Sequence, residues 1–294
     1  MLHKKPRWLT QKIRSGAISR NVKSLIKDLH LNTVCSEAKC PNSGECFSNG
    51  TATFLILGNR CTRNCGFCAI GHDVPQPPDY GEPSLIAEAV AVLGLNHVVI
   101  TSVTRDDLPD GGAGHFAAVI NEIRTRLPRT SIEILVPDFQ GASASIGTIV
   151  SACPDVINHN IETVPRLYEY ARPESDYRRS LELLGTVRRS CSGIETKSGL
   201  MLGLGEKSDE IRAVLRDLLD TGCSMITLGQ YLQPSPEHLP VSRFVTPEEF
   251  ESWRIEAFEM GFRGAASGSF VRSSYNAGEL LGEVIAHDRQ GPVL

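Results

Sequence analysis

Thr53-Phe54-Leu55-Ile56-Leu57-Gly58-Asn59-Arg60-Cys61-Thr62-Arg63-Asn64-Cys65-Gly66-Phe67-Cys68 changes character halfway along. Its first six residues are an apolar run with the length and composition of a buried strand. The remainder reads as a loop at the strand's exit, carrying three cysteines spaced C-x3-C-x2-C. Gly66 lets backbone come close to whatever the thiols hold, and Phe67 shields it from water. A second triplet, Cys35, Cys40 and Cys46, precedes the strand with the spacing C-x4-C-x5-C. Each triplet is one thiolate short of a closed site. An electron-transfer [4Fe–4S] cube is capped by four cysteines, so three leave one iron open. Zinc is the competing reading, but it favours paired knuckles, and no C-x2-C…C-x2-C pairing occurs here. The ligand preferences of soft metals favour iron–sulfur.

Beyond Cys68 the pattern alternates. Strand-like runs at 97–101, 131–136, 156–160, 199–202 and 225–228 bring the strand count to six, with helix-period segments near 84–93, 114–127, 143–151, 176–190, 207–221 and 247–260. Alternating units of this length predict a parallel sheet covered by helices. The expected fold class is α/β, a partial (β/α)6 barrel of the TIM type with chemistry at the C-terminal ends of its strands. The expected organisation is an N-terminal extension over 1–50 carrying the first triplet, the barrel over 51–270, and a C-terminal tail over 271–294. The N-terminal arm and the stretch after Glu279 read as additions to the barrel.

Polar residues gather at the strand exits, over 101–112, 158–163, 203–206 and 230–234. Each stretch also has the composition of turns or caps. Pro109-Asp110-Gly111 reads as a turn, and Thr163 ahead of Val164-Pro165 as a helix N-cap. Their joint placement points to a site more strongly than any one of them.

A chain of 294 residues with 41% hydrophobic content can bury one large core. Its net charge is −4, no apolar run is long enough to span a bilayer, and no basic face marks a nucleic-acid protein. Neither membrane nor nucleic acid is expected as a partner. The odd count of nine cysteines and the lack of a signal-type apolar region argue against a disulfide framework and for a reducing compartment. From Met1 to His30, eight Lys or Arg (Lys4, Lys5, Arg7, Lys12, Arg14, Arg20, Lys23, Lys27) stand against one acid, Asp28. This stretch reads as the arm of a cytoplasmic protein, the alternative being a transit remnant and an organellar matrix. It is either a docking surface for an acidic protein or a solvated face.

C-x3-C-x2-C with an aromatic before the third cysteine resembles the cluster loop of radical S-adenosylmethionine (SAM) enzymes. Within that superfamily the chain resembles the lipoyl synthase family over nearly its full length. Lys5-Pro6-Arg7-Trp8-Leu9 resembles the family's K-P-x-W-L opening, and Cys35, Cys40 and Cys46 match its auxiliary-cluster motif. The segments 105–113 and 158–163 resemble family segments, and Arg272-Ser273-Ser274-Tyr275 resembles its R-S-S-Y. The first triplet together with R-S-S-Y is far more specific than the second triplet, which many enzymes share.

The resemblance implies two [4Fe–4S] clusters and SAM. Cys61, Cys65 and Cys68 would hold the cluster whose open iron takes the amino and carboxylate groups of SAM and whose electron releases a 5′-deoxyadenosyl radical. Cys35, Cys40 and Cys46 would hold the auxiliary cluster, with Ser274 as fourth ligand and Ser273 as fallback. Without the resemblance, Ser274 reads as a helix cap ahead of Tyr275-Asn276. An alkoxide is a harder, poorer match to such a cluster than thiolate, which makes that iron easier to lose. The implied reaction inserts two sulfurs, at C6 and C8 of an octanoyl chain amide-linked to a carrier lysine, with the auxiliary cluster as sulfur donor and two SAM consumed. These carbons are too weakly acidic for any side-chain base, so radical abstraction belongs to the cofactor.

Further roles follow from the same resemblance. The stretch 199–206 resembles the G-x-I-x-G-x-x-E strand that lines the adenosine site, which places Glu206 there. Thr104, Arg105 and Asp106 occupy the loop that recognises the methionine amino group, and Asn158, Asn160 and Glu162 face either cosubstrate or acyl-lysine. The implied partners are octanoylated lipoyl carrier domains (2-oxoacid dehydrogenase acyltransferase subunits and the glycine cleavage H protein), a reductant such as ferredoxin or flavodoxin, and an iron–sulfur carrier. Cys153, Cys191 and Cys223 match no motif and read as ordinary helix or strand residues, free cysteine behaving as a small hydrophobe.

Two other readings stay open on the residues. A biotin-synthase-like sulfur inserter would keep Cys61, Cys65 and Cys68 without needing Ser274 or the first triplet. A non-enzymatic zinc-binding module would explain the cysteines as knuckles. Two cubes would bring about eight irons per chain, and the zinc module almost none.

Overall fold

All four residues of the strand Thr53–Ile56 are buried, as expected where a strand is covered on both faces. The computed structural model describes residues 5–10 and 16–290, and side chains as far as 286. Lys4, Lys12 and Arg14 of the basic arm lie outside the described residues. Two compact units emerge, Gln11–Asn64 with Cys68–Val156, and Met1–Thr10 with Cys65–Phe67 and Ile157–Leu294. The first four strands follow one another in chain order in the first unit, as do the last three in the second.

The first unit runs through α1 (Ala17–Asp28), β1 (Asn32–Thr33), α2 (Val34–Glu37), α3 (Ser43–Ser48), β2 (Thr53–Ile56), α4 (Glu82–Leu93), β3 (His97–Ser102), α5 (Ala113–Arg126), β4 (Ser131–Leu135) and α6 (Ser143–Ser151). β1 is antiparallel to β2, while β2, β3 and β4 are parallel, with Leu55 opposite Thr101 and Ile100 opposite Ile134. β5 (Val156–Asn158) starts at the boundary. The second unit continues with α7 (Tyr168–Ala171), α8 (Tyr177–Ser190), β6 (Glu195–Leu202), α9 (Ser208–Asp220), β7 (Met225–Gln230), α10 (Pro247–Met260), β8 (Gly264–Gly268) and α11 (Ala277–Gln290). β6, β7 and β8 are parallel, with Leu200 opposite Leu228 and Leu228 opposite Ser267.

Every strand and long helix expected from the pattern is present. Their ends have the expected chemistry. Asp110 accepts from the amides of Gly112 and Gly114 at 2.8 and 2.7 Å, which closes the Pro109-Asp110-Gly111 turn and caps α5. Asp176 caps α8 through the Arg179 amide, and Thr246 caps α10 through the Glu249 amide.

Seven elements escaped the pattern, among them the short helices α2, α3 and α7. β1 has only two residues, and β8 reads Gly-Ala-Ala-Ser-Gly, with none of the β-branched or aromatic residues that mark a strand. α1 stood out by charge, but its Val22 is buried in one apolar cluster with Cys35, Phe47 and Ala52. Glu279 lies in the first turn of α11, whose Leu280, Leu281 and Val284 are buried. A Cβ on Gly264 would meet Leu280 and Val284 at 3.0 Å, so α11 packs directly on β8.

Two local readings are corrected. Thr163 is not an N-cap: the short turn of helix begins at Pro165 with Val164 in the cap position. The Thr163 amide turns back to Ile161 O, and its buried hydroxyl has no partner among the described residues. Cys153, Cys191 and Cys223 all lie in connections rather than in helices or strands. Cys223 is buried as a small hydrophobe would be, with its thiol pushed up to about 12 by burial, whereas Cys153 is exposed. No helix among the described residues is long and apolar enough to cross a membrane.

Candidate functional site

The exit of β2 is held under strain. Leu57 has φ of 65°, a left-handed conformation costly for a branched side chain. Both its backbone groups are clamped by buried side chains. Its amide donates to Glu82 Oε2 at 3.0 Å, an oxygen also bonded to His115 Nε2 at 2.7 Å, and its carbonyl accepts from Arg105 Nη1 at 3.2 Å. The clamp aims the chain into the loop that carries Cys61.

Three residues from the end of β3 hold that loop. The carbonyl of Thr104 accepts from the amide and the hydroxyl of Thr62, both at 3.0 Å. Arg105 is 2% exposed, and its guanidinium forks onto Asp107, both bonds at 2.8 Å, holding that carboxyl below its usual range. Asp106 receives a second fork, from Arg63 Nε at 2.6 Å and Nη2 at 2.9 Å. Arg63 sits between the first two cysteines of the loop and also donates to Asp138 Oδ1 at 2.6 Å. Burial works against the Arg63 charge, but the two carboxylates more than offset it and hold the group firmly protonated. Arg63 and Asp138 were missed in the sequence, where Arg63 was only filler between cysteines and Asp138 matched no pattern.

Cys61 Sγ accepts the Arg63 amide at 3.4 Å, the kind of bond that steadies a cluster thiolate. Within the second unit, Gly66 donates to Ala171 O at 3.0 Å and accepts from the Leu239 amide at 2.9 Å. A Cβ there would stand 2.9 Å from Tyr170 O and 3.1 Å from the Leu239 side chain, so only glycine fits this turn of the loop.

The first triplet lies in α2, the connection after it, and α3. Thr33 caps α2 through the Ser36 amide at 3.3 Å, presenting Cys35, which is 6% exposed. Cys35 and Cys46 both lie in or against the apolar cluster beneath α1. The two thiols share a hydrogen bond. It lowers Cys35 to about 7 and, together with burial, pushes Cys46 up. One thiolate is therefore ready near neutral pH for a cationic iron. Among the described residues no three His, Cys, Asp or Glu converge on a single metal ion. A cube makes no such demand, since each thiolate binds a different iron.

The second unit gathers the remaining expected residues. Asn160 Nδ2 donates to Glu162 Oε1 at 3.0 Å. Glu162 has φ of 68°, an outlier of the kind that clusters at functional sites. Burial pushes its carboxyl up, opposed by the charges of Arg172 and Arg272 and by the Asn160 amide. Arg172, also missed in the sequence, donates to Asn160 O at 2.8 Å and Ile161 O at 3.2 Å, while its buried Nε has no partner among the described residues. Asn158 is fully buried at the end of β5. Glu206 accepts from the amides of Gly203 and Leu204 at 2.6 and 2.9 Å, so both its oxygens shape the loop after β6.

The C-terminal motif forms a turn, with the Tyr275 amide donating to Arg272 O at 2.9 Å. Ser273 Oγ donates to Asn160 Oδ1 at 2.8 Å. The Ser274 hydroxyl has no hydrogen-bond partner among the described residues. It does not cap α11: Asn276 occupies that position and binds Glu279 by side chain and backbone.

The radical SAM superfamily profile matches residues 55–218. The lipoyl synthase of Methylococcus capsulatus (Bath) is 56% identical over 275 residues, 93% of this chain and 85% of that protein. That of Caldanaerobacter subterraneus subsp. tengcongensis is 54% identical over 94% of this chain and 97% of its own length. Among solved structures, the [FeFe]-hydrogenase maturase HydG shares the fold with a TM-score of 0.58 at 16% identity, over 91% of this chain and 67% of that one. Strand order, cysteine loop and these relatives agree, and the chain belongs to the lipoyl synthase family of the radical SAM superfamily.

Proposed function

We propose that the chain is a sulfurtransferase that inserts two sulfurs, at C6 and C8, into an octanoyl group carried on a lysine of a lipoyl carrier domain. The observation that carries this reading is the 56% identity to a lipoyl synthase across 93% of the chain. In this reading Cys61, Cys65 and Cys68 hold one [4Fe–4S] cluster, and Cys35, Cys40, Cys46 and Ser274 hold the auxiliary one. Bound there, the clusters and SAM supply hydrogen-atom abstraction and the inserted sulfur.

The chain's own residues fit those groups. Its two sets of three thiols form no disulfides, Cys35 and Cys46 of the first lie in or against an apolar cluster, and Gly66 leaves the loop no bulk. Of the two candidate serines, Ser273 spends its hydroxyl on Asn160, while Ser274 has its own to offer. Arg63, Thr104, Arg105 and Asp106 fix the cluster loop. Asn160 and Glu162 orient a polar cosubstrate, and the unpartnered Nε of Arg172 suits a carboxylate. The partners in this reading are acidic octanoylated carriers, a low-potential reductant and an iron–sulfur carrier, in the cytoplasm.

Reconstituted protein, incubated anaerobically with an octanoyl-lysine carrier peptide, reductant and SAM, tests the reading by mass spectrometry. A peptide gaining two sulfurs supports it. Cleavage of SAM with the peptide unchanged overturns it in favour of another radical enzyme.

A further inference from the structure

Ser273 and Asn160 are 113 residues apart in the chain, yet the serine hydroxyl donates to the amide oxygen at 2.8 Å. The amide nitrogen then donates to Glu162 Oε1 at 3.0 Å. This order matters because the amide can turn over. A hydroxyl can donate or accept, but an ionised carboxylate only accepts, so with Glu162 ionised, as the charges of Arg172 and Arg272 favour, the two bonds together fix which end of the amide faces Glu162. The meeting point is built for close approach. It lies over Gly199 of β6, where a Cβ would stand 2.7 Å from Thr227 Oγ1, 2.8 Å from Asn160 Oδ1 and 3.0 Å from Ser273 Oγ. Any side chain there would push Asn160 and Ser273 apart.

The far end of this hydrogen-bond chain is equally constrained. Glu162 donates its amide to Gly199 O at 2.9 Å and accepts from the Met201 amide at 2.8 Å, which holds its left-handed backbone against β6. The near end is the turn from Arg272 to Tyr275, closed by a bond of 2.9 Å, within which Ser274 directly follows Ser273.

We propose that Ser273 is a positioning residue that couples the C-terminal R-S-S-Y turn to the SAM-binding side chains Asn160 and Glu162. One hydroxyl of the motif then holds the turn to the cosubstrate site while its neighbour is left for the auxiliary cluster. The inference rests on the proposed function for the identity of the ligand, and adds that the two halves of the chemistry share this link.

Equilibrium binding of SAM to reconstituted protein tests it, with iron content measured on each variant. Ser273→Ala is expected to weaken binding about tenfold, equivalent to about 1.4 kcal/mol, with iron content unchanged. Because Asn160 transmits the effect, adding Ser273→Ala to Asn160→Ala should cause no further loss. Ser273→Thr and Ser273→Val share a shape and differ by one hydroxyl. Any disturbance from the extra methyl is common to both, and Thr should bind SAM about tenfold better than Val. Equal binding by Thr and Val, or additive losses in the double variant, overturns the link while leaving the proposed function standing. A wild-type protein that binds no SAM overturns both.

Discussion

Arg63 Nη2 donates to Asp138 Oδ1 at 2.6 Å, between side chains 4% and 0% exposed. A residue lying between Cys61 and Cys65 is thus fixed just beyond β4, and the same guanidinium reaches Asp106 beyond β3. Breaking such a buried pair costs more than the pair itself contributes, because it leaves a charge without a partner.

Arg63→Met is therefore expected to lower the unfolding free energy by about 3 kcal/mol, read by urea denaturation. Replacing the more buried of the two stranded carboxylates as well, in Arg63→Met/Asp138→Leu, should recover at least half of that. Iron bound at the second triplet should not recover, since the loop still lacks its tether. Full iron in the double variant would show that the fork serves stability alone.

The two triplets should divide the labour. Replacing Cys61, Cys65 and Cys68 together should abolish 5′-deoxyadenosine formation and leave about four irons per chain, those of one cube. Replacing Cys35, Cys40 and Cys46 should leave cofactor cleavage measurable and remove sulfur insertion. Sulfur transfer surviving in this second triple variant would end the assignment of the first triplet as sulfur donor.

Ser274→Cys should retain the auxiliary cluster, because thiolate suits the metal at least as well, yet release that iron less readily and impair sulfur donation. Ser274→Ala offers no ligand atom and should impair it too, with stability little changed because Asn276, not Ser274, caps α11. Normal product from both would move the ligand role to another residue, and Ser273 would have to leave Asn160 to take it.

In cluster-free protein the hydrogen bond from Cys46 brings the Cys35 thiol down to about 7. Since the folded value is depressed, thiolate accumulates above it, and its contribution to stability is lost as pH falls through about 7. Ultraviolet thiolate absorbance should show a step there that disappears in Cys35→Ala. In Cys46→Ala the step should move up toward the ordinary thiol value of about 8.5. A first step unchanged by Cys46→Ala would place the stabilising donor elsewhere.

Much of the architecture was legible because it is periodic. Apolar runs such as Thr53-Phe54-Leu55-Ile56 and His97-Val98-Val99-Ile100 are strands wherever both faces are covered, and caps such as Asp176 and Thr246 act on amides three residues away. The thiol spacings and the family resemblance were equally local to read. β8 was not, because Gly-Ala-Ala-Ser-Gly is a strand only when β7 supplies its ladder and α10 and α11 pack against it.

Sequence alone thus determined the order of six strands and of the six long helices that follow them, the two triplets and the family, all of which rest on neighbours in the chain or on spacing. Which side chains serve the site was decided only by folding. From the sequence Arg105 and Asp106 read only as part of a cosubstrate loop, and folding adds that their charged groups bond to Asp107, Leu57 and Arg63. Arg63, Asp138, Arg172 and the Ser273–Asn160 bond had no pattern to announce them. Each depends on a partner many residues away, and hydrogen bonds and buried charges are set by distance in space, which no periodicity encodes.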